Sequence, residues 1–254
     1  MTGLGAFLHK ELTEIRRTWR LWVIPGMLVF FGVTSPIIAA LTPALVRSMT
    51  ASQPGVAIRL PPPRTLDAYA QFMKNLDQFV LIAVVIAGAG VVSGERASGT
   101  AILALTKPLS RRAFVAAKIL SQLVLLLIAT ALGTAVCLAT TAVVFDATGS
   151  GRLFAAVALW LLYAAVLVVV MTLCSAAFSS RGAAAGVGLA FYFLTLLLSN
   201  WGPAAHYGFF GLWPSMGRAL LGKATALGWP IATAAAAIVI GTMAAIRAFE
   251  RQEL

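Results

Sequence analysis

Apolar residues along this chain fall into six long runs, each bounded by charged side chains. The runs cover about residues 21–46, 77–94, 119–145, 153–180, 182–201 and 229–247. A helix needs roughly 20 apolar residues to cross a bilayer, and backbone groups in lipid must be satisfied within the spanning element itself. The pattern predicts an all-α integral membrane protein in which residues 1–254 form a single domain with six transmembrane helices.

The second run is the shortest of the six. Only 17 uncharged residues lie between Asp77 and Glu95, and as a helix they rise about 25 Å. An apolar stripe at helical spacing precedes and overlaps its start. The stripe consists of Tyr69, Phe72, Met73, Leu76, Phe79 and Val80. We therefore expect this helix to lengthen toward the N-terminus, on the outer side.

Residues 1–20 form a separate unit ahead of the first run. Its apolar residues recur every three or four positions and its charged residues take other faces. The apolar set is Leu4, Leu8, Leu12, Ile15 and Trp19, and the charged set is Lys10, Glu14, Arg16 and Arg17. This spacing predicts an amphipathic helix in the cytoplasmic membrane interface. The alternative is an ordinary helix packed on a protein partner.

Residues 202–228 separate the fifth run from the sixth. They are rich in Trp, Phe and Gly, and their only charged residues are Arg218 and Lys223. Aromatic side chains prefer the membrane–water interface. We expect a re-entrant or interfacial hairpin on the outer side.

Composition and charge support a membrane protein. The chain is 60% hydrophobic and 11% charged, against about 45–50% and 25% for soluble domains. The net charge of +11 is compatible with nucleic-acid binding, but the basic residues flank the apolar runs. Twelve Lys and Arg lie in the segments on the same side of the membrane as the N-terminus, and seven lie in the segments on the opposite side. Positively charged residues are enriched on the cytoplasmic side, so both termini are expected in the cytoplasm. Cys137 and Cys174 lie inside apolar runs, without disulfide or metal-site spacing.

The loop of residues 95–118 carries the most specific pattern in the chain. It contains a short apolar stretch between Gly99-Thr100 and Pro108, followed by Ser110, a possible helix cap. A short helix that projects into the cytoplasm must bury its apolar side, and a soluble partner protein is one candidate for that contact. The alternative is that this segment is a basic loop resting on lipid headgroups.

This loop resembles the signature region of ABC-2-type permeases, the membrane subunits of bacterial ABC exporters. In that family a Glu is followed by Gly-Thr, an apolar helix, a Pro-Ile/Leu-Ser-Arg motif and a Lys. The corresponding residues here are Glu95, Gly99-Thr100, Ile102 to Leu105, Pro108-Leu109-Ser110-Arg111 and Lys118. Lys10-Glu11 resembles the start of the family's elbow helix, and 202–228 its outer re-entrant helices. The most similar subgroup holds the single-domain permeases of sodium-efflux and copper-maturation (NosY-like) type.

The resemblance implies the ABC-2 (type V) exporter fold and the role of permease in an ATP-driven exporter of the bacterial cytoplasmic membrane. It implies a dimer with a second or related permease, bound to two copies of a separate ABC ATPase. No cofactor is expected in this chain, since ATP and magnesium belong to the ATPase. The implied ATPase-coupling residues are Glu95, Arg96, Gly99, Thr100, Ile102, Leu103, Leu105, Pro108, Arg111 and Arg112. The implied elbow residues are Leu8, Lys10, Leu12, Ile15, Arg16 and Trp19.

The candidate enzymatic motifs in the sequence are incomplete or misplaced, so the chain is not expected to be an enzyme. Residues 217–224 nearly match a phosphate-binding loop, but Ala224 replaces the Ser or Thr that holds magnesium. Ser98 and His206 are predicted on opposite sides of the membrane, which excludes a serine protease. A secondary carrier or channel is the main alternative, although Asp77, Glu95 and Asp146 all fall at run ends rather than inside them. An ABC-like permease with a role in assembly rather than transport is a further alternative.

Overall fold

The computed structural model describes residues 4–18, 20–50, 61–99, 110–145 and 151–251, and within these ranges it contains helices and no strand. The helices are α1 (Leu4–Arg16), α2 (Arg20–Thr50), α3 (Thr65–Asn75), α4 (Leu81–Gly88), α5 (Ser93–Ala97), α6 (Arg111–Phe145), α7 (Gly151–Ala177), α8 (Arg181–Ser199), α9 (Gly202–Tyr207), α10 (Leu212–Leu220) and α11 (Gly228–Glu250). A π-helical turn, Leu76–Val80, joins α3 to α4, and a 3-10 turn, Phe209–Gly211, precedes α10.

Six segments in the described part of the chain are long and apolar enough to cross a membrane. In chain order they are α2, the continuous run Thr65–Ala97, α6, α7, α8 and α11. We number them spans one to six. The prediction of an all-α membrane protein with six spans is confirmed.

Span two begins at Thr65, twelve residues before Asp77. Its outer part is helical because the apolar stripe faces the protein: Phe72 and Leu76 are fully buried, whereas Phe79 is 49% exposed. Asp77, which the apolar run places at its boundary, therefore lies within a continuous helix.

Span four forms the centre of the bundle. Its large side chains Trp160, Tyr163, Leu167 and Met171 are fully buried, and it packs against spans two, three, five and six and against α10. Helix association in lipid depends on close packing rather than on a hydrophobic driving force. Dense side-chain contacts around span four therefore hold the bundle together.

Spans one and three pack closely against each other. Gly32 and Gly133 lie in this contact, where an added Cβ at Gly133 would come within 2.8 Å of the Leu28 Cβ. Small residues let backbones of membrane helices approach in this way. The pair leaves no room for a side chain at either glycine.

The segment between spans five and six folds back onto span four. Helix α10 packs on α7, and the Trp213 ring meets Tyr163 edge-on with centroids 5.5 Å apart. The near-match to a phosphate-binding loop begins inside α10 at Gly217, and no strand precedes it in the described part of the chain. The surroundings of a nucleotide-binding loop are therefore absent there.

Candidate functional site

Three separate segments converge at one end of the bundle, which we call the inner end after its predicted orientation. They are α1, the short helix α5 at the end of span two, and the start of span three. Ser175 of span four anchors α5, because its Oγ accepts hydrogen bonds from the backbone N–H groups of Val92 (2.9 Å) and Ser93 (3.1 Å). The first amides of α5 are thereby satisfied from within the bundle.

Lys118 lies at the centre of this convergence. Its Nζ is 2.8 Å from Glu11 Oε2 of α1 and 2.5 Å from Glu95 Oε1 of α5. The side chains of Lys118 and Glu11 are 4% and 5% exposed. One ammonium thus joins the N-terminal helix to spans two and three, and all three charges are largely removed from water.

Lys10 completes the arrangement from the solvent side. Its Nζ lies 2.7 Å from Glu14 Oε2, 3.1 Å from Glu11 Oε1 and 3.1 Å from Glu95 Oε1. Partial burial by itself lowers the Lys10 pKa, but the hydrogen bond to Glu14 and the charges of Glu11 and Glu95 raise it above its ordinary value. Lys10 therefore stays protonated at neutral pH. We call Lys10, Glu11, Glu14, Glu95 and Lys118 the inner ion cluster.

Aromatic rings shield the cluster from one side. The Phe114 ring stacks on Phe249 of span six at 4.9 Å and contacts Phe7 of α1 at 5.2 Å between centroids. Lys118 Nζ lies 5.5 Å from the Phe114 centroid, within the range of a cation–π contact. The rings lower the local dielectric, which strengthens the ion pairs.

The described ends of the loop 95–118 have a defined geometry. Gly99 has φ +72°, a left-handed conformation that glycine adopts without strain and that ends α5. At the other end, Ser110 Oγ accepts the Ala113 N–H at 3.2 Å, as a helix cap does. Arg111 donates to the Glu250 carbonyl at 2.8 Å, and Arg112 pairs with the Glu250 carboxylate at 3.2 Å. Both arginines therefore bind the end of span six.

A cavity of about 630 Å³ lies beside the cluster, between α1 and spans one to five. Glu14, Ser98 and Arg181 line its polar part, and Leu125 and Val168 line its apolar part. The Arg181 side chain lies against Gly94, where an added Cβ would come within 2.8 Å of Nη2. The inner end therefore offers an amphipathic hollow next to the charged residues.

The cluster also contains the one set of groups in the described ranges that could surround a metal ion. Oxygens of Glu11, Glu14 and Glu95 lie within 4.8 Å of one another. The Lys10 ammonium contacts all three carboxylates and Lys118 contacts two of them, so ammonium groups already occupy the space between them. The expectation that this chain holds no cofactor stays a prediction.

The structure joins the two predicted groups of residues through Lys10 and Glu95. Leu8, Leu12 and Ile15 lie on α1, with Ile15 buried. Thr100, Ile102, Leu103, Leu105, Pro108 and Trp19, as well as the Arg16 side chain, lie outside what the structure describes. The predicted roles of these site residues in ATPase coupling stay predictions.

Three members of the cluster, Glu11, Glu14 and Lys118, are missing from the residues predicted to form the site. A signal for Glu11 is present in the sequence, because it lies three residues after Leu8 and four before Ile15, on the apolar side of α1. A carboxylate in that position requires a buried cation. Lys118, seven residues into an apolar helix, supplies one.

Comparison with known proteins gives two matches. The model of the family described as ABC-2 family transporter protein matches residues 6–208. An uncharacterised transmembrane protein of Bacillus subtilis (strain 168), YxlG, is 23% identical over 189 residues, which cover 74% of this chain and 73% of the relative. The family match includes α1, the loop 95–118 and the first five spans.

Proposed function

Because this chain belongs to the ABC-2 family of transporter proteins, we propose that it is the permease subunit of an ATP-driven exporter, coupled to separate ATPase subunits through residues 95–112. It is a multi-pass membrane protein of a transport family. The proposal also covers its partners, its energy source and its direction of transport. Two permeases and two ATPases would form the working complex, in the bacterial cytoplasmic membrane.

The observation that carries the proposal is the inner ion cluster. Lys118 and Lys10 tie α1, α5 and span three together, on both sides of the loop that would contact an ATPase. A force that the ATPase exerts on that loop would be transmitted to Glu95 at one end and to Arg111 at the other. The cluster would make the elbow helix and the inner ends of spans two and three move as one body.

The route of the transported compound would lie between two permeases. Span five has 22% of its apolar window buried, close to the 17% of span six and far below the 61% of span four. Much of its surface is therefore available to lipid or to a second permease. We propose that movement of spans two and five opens the route, and that its apolar walls favour an amphipathic compound.

A pull-down of the native protein tests this function. We expect an ABC ATPase in near-stoichiometric amount among the proteins that copurify from native membranes. A secondary carrier or channel would need no such partner. A stable complex in which neither subunit changes compound distribution across the membrane would favour the assembly role.

The orientation predicts which residues face each side of the membrane. In a variant without Cys137 and Cys174, single cysteines at Ser98 and Arg181 should react with an impermeant maleimide only after the cytoplasmic side is opened. Cysteines at Gln53 and Gly149 should react from outside. The warrant is the charge bias across the spans. Labelling of Ser98 and Gln53 from the same side would contradict the six-span topology.

The purified chain alone should neither bind nor hydrolyse ATP. Its near-match to a phosphate-binding loop ends in Ala224, which offers no oxygen to magnesium, and Gly217 lies within a helix. A fluorescent ATP analogue and a phosphate-release assay test this, with Lys223→Ala as the matched variant. Turnover that this variant abolishes would show that residues 217–224 do bind nucleotide.

A further inference from the structure

Asp77 has no role in the proposed coupling mechanism. It lies 18 residues before Glu95 on the same span, hence roughly 27 Å further out, near the outer limit of a hydrocarbon layer about 30 Å thick. Its Oδ1 is buried and has no hydrogen-bond partner. No salt bridge found in the described ranges involves this residue.

The other two acidic residues described on this span each have at least one charged or polar partner. Glu95 shares two lysines, and Asp67 accepts the Arg64 backbone N–H at 2.8 Å. A buried carboxylate oxygen without a donor is unfavourable and uncommon in folded proteins. Ionisable groups within membrane spans are for the same reason associated with transport or binding. A cationic ligand would satisfy the Asp77 oxygen for which no donor is found within the described ranges.

The backbone at Asp77 is also specialised. Residue 77 lies in the π turn Leu76–Val80, and single π turns within helices occur frequently at functional sites. The Tyr192 hydroxyl of span five donates to the Asp77 carbonyl at 2.7 Å. The Tyr192 ring in turn lies 6.2 Å from Trp213 of α10. Spans two and five are thus linked through the very turn that carries the carboxylate.

We propose that Asp77 binds the cationic head of the amphiphile that the exporter carries, an inference that rests on the proposed function and names its substrate class. One carboxylate cannot replace the six or more oxygens that calcium prefers or the octahedral shell of magnesium. It suffices for an alkylammonium or another organic cation. The apolar part of such a compound would lie against Phe79, which is 49% exposed and whose ring stacks on the half-buried Phe31 at 5.4 Å.

Binding of a lipophilic cation to the purified full-length chain in nanodiscs tests the proposal. The probe is tetraphenylphosphonium, and tetraphenylborate is its counterpart of the same shape and opposite charge. Both are measured by equilibrium dialysis against empty nanodiscs. The variants are Asp77→Asn, which removes the charge at constant size, Asp77→Glu, which keeps it, and Asp67→Asn as the control on the same span.

We expect Asp77→Asn to weaken tetraphenylphosphonium binding at least tenfold, while Asp77→Glu and Asp67→Asn retain it within threefold. Tetraphenylborate binding should not weaken in any variant. Equal cation binding by the native chain and Asp77→Asn overturns the proposal. So does dissociation of a permease dimer by Asp77→Asn, which would assign Asp77 a basic partner on the second copy. ATPase copurification, measured on the same variants from native membranes, reports separately on the proposed function.

Discussion

Replacing Lys118 with methionine should lower the free energy of unfolding by about 3–5 kcal/mol, the range measured when one partner of a buried ion pair is removed. Methionine keeps the length and apolar stem of the side chain and removes only the ammonium. Glu11 and Glu95 then face each other with Lys10 as their remaining cation, and Lys118 itself is 4% exposed. Unfolding in mixed micelles of detergent and dodecyl sulfate measures the change.

Lys10→Met is the matched control for this prediction. Lys10 contacts three carboxylates but is 46% exposed, and exposed ion pairs contribute about 0–1 kcal/mol. The triple variant Lys118→Met, Glu11→Gln, Glu95→Gln should recover much of the loss, because it removes the buried charges together. A Lys118→Met variant as stable as Lys10→Met would show that the buried pairs do not hold α1 to the bundle.

Much of the fold could be predicted from the sequence because a bilayer imposes lengths. The six apolar runs correspond to the six spans, and the stripe from Tyr69 to Val80 predicts the longer second helix. Two local features could also be predicted from the sequence, because they depend on residue type alone. Ser110 caps span three, and Gly99 adopts the left-handed turn.

The cluster could not be predicted as a unit because its partners are distant in the chain. The structure brings Lys10 and Lys118 to Glu95 from 85 and 23 residues away in the chain. Their meeting depends on how α1 folds back across spans two and three. No residue pattern in the sequence predicts the π turn at Asp77.

Leu103→Asp should weaken binding of the ATPase by about ten- to a hundredfold. Burial of a leucine side chain contributes roughly 1.5–3 kcal/mol, and each 1.4 kcal/mol is a factor of ten in affinity. An aspartate there would also carry a charge into the contact. Glu95→Lys should impair coupling too, but it would set a third ammonium beside Lys10 and Lys118 and so disturb the fold. Leu103→Asp therefore separates docking from stability more cleanly.

Copurification of the ATPase with Leu103→Asp, and the ATP turnover of the resulting complex, test the central claim most directly. The control is Leu221→Asp, the same substitution at an exposed residue on the outer hairpin. Membrane insertion and dimer formation are checked for both variants by fluorescence-detected gel filtration. We predict that Leu221→Asp keeps the ATPase and its turnover, whereas Leu103→Asp, equally well inserted, loses most of both. Undiminished ATPase binding and turnover in the Leu103→Asp complex would contradict the assignment of residues 95–112 as the coupling segment.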